Sequence, residues 1–290
     1  MTHWTLGILG GSGLYDIDGL EDVREEVIET PWGEPSAPLK RGRIDDVELV
    51  FLPRHGAGHA LSPSTVNYRA NIDALKRAGC TDVLSVSAVG SLQEAYAPGD
   101  FVLVDQFIDR TFAREKSFFG PGCVAHVSLA DPVCARLSAL AGDAAQTAGA
   151  KTHRGGTYLA MEGPQFSTRA ESHMYRSWGC DVIGMTNMPE AKLAREAELP
   201  YATIAMVTDY DCWREATEAV SVEAVLAILK QNGETATKTI AALANKMSGT
   251  ERAPCAQGIE SALDYAIITA PEARDPALLA KLDAVAGRVL

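Results

Sequence analysis

Apolar residues fall in short bounded runs along this chain, and what breaks each run is a cluster of Gly, Pro, Ser or acidic residues. Residues 6–9 predict a strand that runs into Gly10-Gly11-Ser12-Gly13. Residues 40–43 and 47–52 flank Asp45-Asp46 and predict a hairpin, with Pro53-Arg54-His55-Gly56 at its exit. Pro63 precedes a helix whose Val66, Ala70, Ala74 and Ala78 share one face, and Gly79 ends it. Residues 83–87 read as a strand that breaks at Ala88-Val89-Gly90-Ser91, and 101–104 form a further apolar run. An alanine-rich helix over 132–150 precedes a strand at 158–161, which runs into Glu162-Gly163-Pro164. Thr168 and Glu171 make a capping box for a helix carrying Ala170, Met174 and Trp178. Past Gly179, residues 182–185 predict a strand and Pro189 opens a helix at its favoured first position. The run over 201–207 stops at Thr208-Asp209-Tyr210-Asp211-Cys212-Trp213. Ser221 caps a last long helix from 222 to about 247, with Gly233 its weak point.

Strand and helix alternate throughout, which argues an α/β protein with a largely parallel sheet. No repeat or linker divides the chain, so one domain over residues 1–250 is expected, followed by a helical appendage at 251–290 cut by Pro254, Pro271 and Pro276. Asp209 and Asp211 stand where a buried strand emerges. In open α/β sheets that is where ligands bind, while Asp is also common in plain turns. Both readings stay open on this segment alone.

Composition narrows the field. A net charge of -12 opposes binding to nucleic acid, whose phosphates call for a basic face. No stretch approaches the roughly 20 apolar residues of a membrane span, and no basic leader opens the chain, so a cytoplasmic protein is expected. Six cysteines without C-x-x-C spacing suit reduced thiols rather than disulfides or structural zinc. Cys123 with His126 and His55 with His59 are closely spaced, but the second pair is separated by Gly-Ala-Gly with no adjacent acid, and no metal is expected.

Four other strand exits carry polar residues. The loop from Gly10 to Gly13 lets backbone N–H groups approach an anion, yet it lacks the spacing of a dinucleotide fingerprint, a P-loop or a nucleophile elbow. Arg54 offers a charged fork that suits phosphate oxygens, and Ser12, Ser87 and Thr186 offer hydroxyls and amides to the same anion. His55 adds a donor or a charge. Singly, each has a plainer explanation as a surface charge or a turn cap.

Gly10-Gly11-Ser12-Gly13-Leu14, Pro53-Arg54-His55-Gly56, Val66-Asn67-Tyr68-Arg69-Ala70-Asn71, Glu162-Gly163-Pro164-Gln165-Phe166-Ser167 and Met185-Thr186-Asn187-Met188-Pro189-Glu190 occur in an order that resembles the trimeric purine nucleoside phosphorylases. The segments at 105–111 and 208–213 resemble the 5'-methylthioadenosine branch of that family, and the likeness runs from about residue 5 to 245. It implies a single-domain mixed central sheet forming a distorted barrel, flanked by helices, in a homotrimer. It further implies phosphorolysis of a nucleoside with inorganic phosphate as co-substrate and no other cofactor. Ser12, Arg54, His55, Ser87, Ala88 and Thr186 would hold phosphate, with Met185 against the ribose and Ser167, Asp209 and Asp211 at the base. Asp209 would protonate purine N7, and Asp211 would accept from the 6-amino group, which favours adenine. Val222, Val225 and Leu226 match the family's 5'-methylthio pocket, and His126 resembles a residue contributed to that pocket by a neighbouring subunit.

The alternatives are a 6-oxopurine phosphorylase acting on methylthioinosine or inosine, a nucleoside hydrolase, and a non-catalytic purine sensor. Two positions depart from the family pattern: Ser87 stands where relatives usually have Thr, and Asn187 where many have Thr or Gly.

Overall fold

The computed structural model describes residues 3–11, 14, 16–214 and 222–290, with side chains from 227 onward in the last stretch. Thr5–Gly10 forms β1, Glu21–Glu26 β2, Leu39–Ile44 β3 and Val47–Pro53 β4. Tyr68–Arg77 is α1, capped by the Asn67 side chain, which accepts from the Ala70 N–H. Asp82–Ser91 is β5, Phe101–Leu103 β6 and Gln106–Asp109 β7. Ala135–Thr147 is α2, Thr152–Arg154 β8 and Thr157–Ala160 β9. Arg169–Ser177 is α3, and both bonds of its Thr168–Glu171 capping box form. Val182–Gly184 is β10, Asn187–Glu196 α4, Tyr201–Tyr210 β11 and Val222–Met247 α5. Two short helices follow, α6 (Pro276–Lys281) and α7 (Asp283–Ala286).

The sheet is mixed rather than largely parallel. β4, β1, β5 and β11 run parallel to their neighbours, while β3 pairs antiparallel with β4, β10 with β5, and β6 with β11. Alternating elements could not reveal this, because β10 returns along β5 from the far end without a change in hydrophobic pattern. The pairings also close on themselves. β5 bonds β11, β11 bonds β6, and β6 with its continuation β7 lies along β8 with its continuation β9. β9 then bonds β10, which returns to β5. That ring is the distorted barrel. β2, whose six residues are largely charged and exposed, ends the other arm as a protected edge.

β5 differs from its expected form in an instructive way. It does not break at Ala88 but continues to Ser91, paired with β11 along most of its length. Its other edge is shared: β1 pairs through Ser85, and β10 pairs only at Gly90 and Ser91. Residues Val86–Val89 therefore have no strand on that side. The gap is a switch point in the sheet, where ligand sites of α/β proteins form.

Apolar residues of α1, α4 and α7 pack on one side of the sheet and those of α2 and α5 on the other. Residues 251–290 are tied to the body by apolar contact and charge. Leu282, Val285 and Ala286 are buried, Arg252 pairs with Asp82 and Glu260, and Arg288 pairs with Glu198 and Asp264. α3 buries Ser172 and Tyr175 and leaves Met174 and Trp178 exposed. Among the described residues, no helix is long and apolar enough to cross a membrane.

Candidate active site

A cleft of about 980 Å³ opens at the gap in β5. The exits of β4, β10 and β11 bring Arg54, His55, Met185, Thr186, Asp209 and Asp211 to its wall, and the open stretch of β5 adds Ser87 and Ala88. Residues scattered over 158 positions of sequence thus meet in one place, as expected for this set. Ser12 lies outside the described residues, as do the side chains of Val222, Val225 and Leu226. Ser167 is half-buried beside the cleft, where its carbonyl accepts from the Cys212 thiol at 3.3 Å. His126 is exposed and does not line the cleft of its own chain; its N–H donates to the Ala266 carbonyl.

At one part of the cleft the polar groups are neutral donors. Ser87 Oγ lies 3.2 Å from the Tyr158 hydroxyl and 3.3 Å from Thr186 Oγ1, all three residues being buried. Arg54 departs from its expected role as an open fork. Its guanidinium is buried and grips Glu190, with Nε 2.6 Å from one carboxylate oxygen and Nη2 3.1 Å from the other. Nη2 also donates to the Leu9 carbonyl and to Ser85 Oγ, and Nη1 to the Val86 carbonyl. Burial alone would lower the Arg54 pKa, but the Glu190 carboxylate more than reverses this and holds it above its ordinary value. The pair is an ionic unit with no net charge. Nη1 makes only the one bond, to the Val86 carbonyl, among the described residues.

His55 donates from Nδ1 to the Leu61 carbonyl at 2.8 Å, because a carbonyl can only accept. Burial pushes its pKa down, opposed by that bond, while Arg54 and the stacked ring of His59 lower it further. A neutral His55 then keeps Nε2 as an acceptor, which suits the proton of a monohydrogen phosphate.

Asp209 follows a β-bulge in β11, and Asp211, past the strand's end, opens a turn in which its carbonyl accepts from the Arg214 N–H at 3.3 Å. The register of β11 on β5 shifts between Val207 and Asp209, so Thr208 is the extra residue and the strand runs on to Tyr210. Thr208 Oγ1 lies 2.7 Å from Asp209 Oδ2 and 3.1 Å from the Val89 carbonyl. One hydroxyl proton serves one acceptor at a time, so Thr208 donates either to the Asp209 carboxylate or to the Val89 carbonyl. Burial raises the Asp209 pKa, the Thr208 hydroxyl works against this, and the Asp211 charge raises it again. Asp211 Oδ2 is buried and has no hydrogen-bond partner among the described residues. Gly90 lets the pair approach β5, since a Cβ there would stand 3.2 Å from Asp209 Oδ1. Met161, Phe166, Ile183 and Met206 supply apolar wall between these polar groups.

Three residues with structural claims on the site escaped notice in the sequence. Glu190 and Tyr158 are two. The third is Arg114, whose side chain is 1% exposed and pairs with Glu162. It donates to the Glu162 and Met188 carbonyls at 2.6 and 2.7 Å and also to the Met185 carbonyl, fixing the loop that presents Met185 and Thr186. Glu190 and Glu162 were visible in the recurring motifs, but Tyr158 reads as plain strand core.

A family model described as the phosphorylase superfamily matches residues 5–245. The S-methyl-5'-thioadenosine phosphorylase of Cereibacter sphaeroides is 64% identical over 285 residues, covering 98% of this chain and 98% of that relative. The protein of the same name from Bradyrhizobium diazoefficiens is 62% identical over 290 residues, with 100% and 99% covered. A solved methylthioadenosine phosphorylase sourced from an antarctic soil metagenomic library has a TM-score of 0.92 at 46% identity, covering 98% of this chain and 99% of that one. A mutant adenosine/methylthioadenosine phosphorylase from Schistosoma mansoni in complex with methylthioadenosine has a TM-score of 0.80 at 38% identity, covering 86% and 93%.

Proposed function

We infer that this chain, which belongs to the phosphorylase superfamily, cleaves 5'-methylthioadenosine with inorganic phosphate to give adenine and 5-methylthio-α-D-ribose 1-phosphate. It is a pentosyltransferase of the purine nucleoside phosphorylase type, serving purine and methionine salvage. The observation that carries the reading is the shared cleft: a cluster of hydroxyl donors beside Arg54 and a buried acid pair line one cavity. Phosphate held by Ser87, Ala88, Thr186, His55 and Arg54, with Ser12, attacks ribose C1' as the bond to the purine breaks. The ribosyl centre becomes cationic, and the nearby anion stabilises it. Electrons of the broken bond move into the purine and make N7 basic, and Asp209 supplies its proton there. A general acid of this kind contributes roughly 10² to 10⁴ in rate. Asp211, with an unused carboxylate oxygen, accepts from the adenine 6-amino group, and Met185 and Ser167 flank the sugar and base. A 6-oxo group would set a second acceptor against that oxygen, which disfavours hypoxanthine.

The 5' end of the substrate meets Val222, Val225, Leu226 and, in a homotrimer, His126 of a neighbouring copy. The exposure of His126 away from its own cleft supports the shared arrangement. Six free cysteines support a reducing, cytoplasmic setting. The proposal includes no cofactor beyond the co-substrate phosphate. The test is adenine or hypoxanthine release from methylthioadenosine, adenosine, methylthioinosine and inosine, with and without phosphate. Release from methylthioadenosine that depends on phosphate is expected. Full turnover without phosphate, or faster cleavage of methylthioinosine, overturns the reading.

A further inference from the structure

We propose that Tyr158 is a positioning residue for the phosphate co-substrate, anchored by the Thr186 backbone N–H and acting through the hydroxyl of Ser87. The proposal rests on the phosphorolytic reading above.

Tyr158 is fully buried in β9, in the company of core residues, yet its hydroxyl emerges among the anion donors. It lies 3.2 Å from Ser87 Oγ and accepts from the Thr186 backbone N–H at 3.5 Å. The fold makes specific room for it. A Cβ on Gly184 would stand 2.0 Å from the phenol oxygen, so the residue facing it on β10 must lack a side chain. The Phe107 ring meets the tyrosine ring edge-on at 5.8 Å and fixes it from the other side.

Proton directions follow from the chemistry. Burial raises the Tyr158 pKa, so the phenol keeps its proton. Its lone pair faces the Thr186 N–H, which can only donate, and its proton then points to Ser87 Oγ. Ser87, already accepting, has its own proton to donate, and its contact to the Ala88 carbonyl is long enough, at 3.4 Å, for that proton to turn to an anion in the cleft instead. A chain of donors from Thr186 N–H through Tyr158 and Ser87 thus ends at the cleft, each bond polarising the next in a low-dielectric site. Ser87, one methyl smaller than the Thr of the family pattern, has more rotational freedom, and Tyr158 limits it.

Tyr158→Phe removes one hydroxyl and leaves the packed ring in place. It is expected to raise the KM for phosphate roughly five- to tenfold, the effect of one hydrogen bond. The KM for the nucleoside at saturating phosphate should change less than twofold and the Tm should stay within a few degrees. In a double-mutant cycle with Ser87→Ala, adding Tyr158→Phe should bring little further loss, because the phenol acts through the serine. An unchanged phosphate KM, an equal rise for phosphate and nucleoside, or strictly additive effects would each overturn the proposal. Phosphate-independent release by the unmutated enzyme would instead sink the phosphorolytic reading, so the two failures are distinct.

Discussion

In the proposed reaction Asp209 acts only while it holds its proton, so the rate should fall as pH rises through its pKa. Burial raises that pKa and extends the active range upward. The Thr208 hydroxyl opposes the rise, and its loss should move the falling limb of kcat to higher pH. Thr208→Val is therefore expected to shift the alkaline limb upward, while Asp209→Asn should lower kcat by roughly 10² to 10⁴ at neutral pH. Paired kcat–pH profiles check this, and a limb displaced to lower pH in Thr208→Val would contradict it. Residue types and their order gave the acid pair and the hydroxyls in advance. They did not give Arg54's engagement, because a bidentate partner 136 positions away is a property of the fold. Truncating Arg54 would leave the buried Glu190 without its counter-charge, held only by the Tyr201 hydroxyl, so the variant would damage folding as well as phosphate use.

At the scale of elements, most strands and helices were legible because their apolar periods and caps are local. The misreadings cluster at the cleft. β5 was expected to stop at Ala88, where glycine and serine imitate a strand end, but pairing with β11 carries it on. The run was expected to stop at Thr208, where β11 instead bulges and continues to Tyr210, because periodicity cannot distinguish one extra residue from the end of a strand. α4 shows a smaller version: Met188 is extended at φ -120°, ψ 131°, so regular helix begins at Pro189, as its placement suggested. The close approach of β5 and β11 at Gly90 gives an element-scale expectation. Gly90→Ala would press on Asp209 Oδ1 and on Ile183 Cγ2, each at 3.2 Å. About a tenfold loss in kcat/KM for the nucleoside is expected, with a smaller change in phosphate KM. Steady-state kinetics in both substrates checks it.

For the whole molecule, the closed ring of strands was implied only by the family resemblance, since ring closure depends on long-range pairings. The proposed homotrimer predicts a particle of three 30.9 kDa chains by light scattering. His126→Ala should then weaken methylthioadenosine use while leaving phosphate KM unchanged. A monomer with full activity would remove the shared-pocket proposal. The gap along Val86–Val89 carries one more implication. The carbonyl of Val86 lacks a strand on that side and is met instead by Arg54, while on the opposite edge the Val89 carbonyl, at the bulge in β11, is met by Thr208. Such carbonyls, left unmet, cost about 1–3 kcal/mol each. The side chains that mend the sheet also shape the catalytic cavity, so durability and turnover draw on the same few bonds. Selection for a hardier variant at these positions would have to preserve the chemistry, and selection for a new substrate would have to preserve the fold.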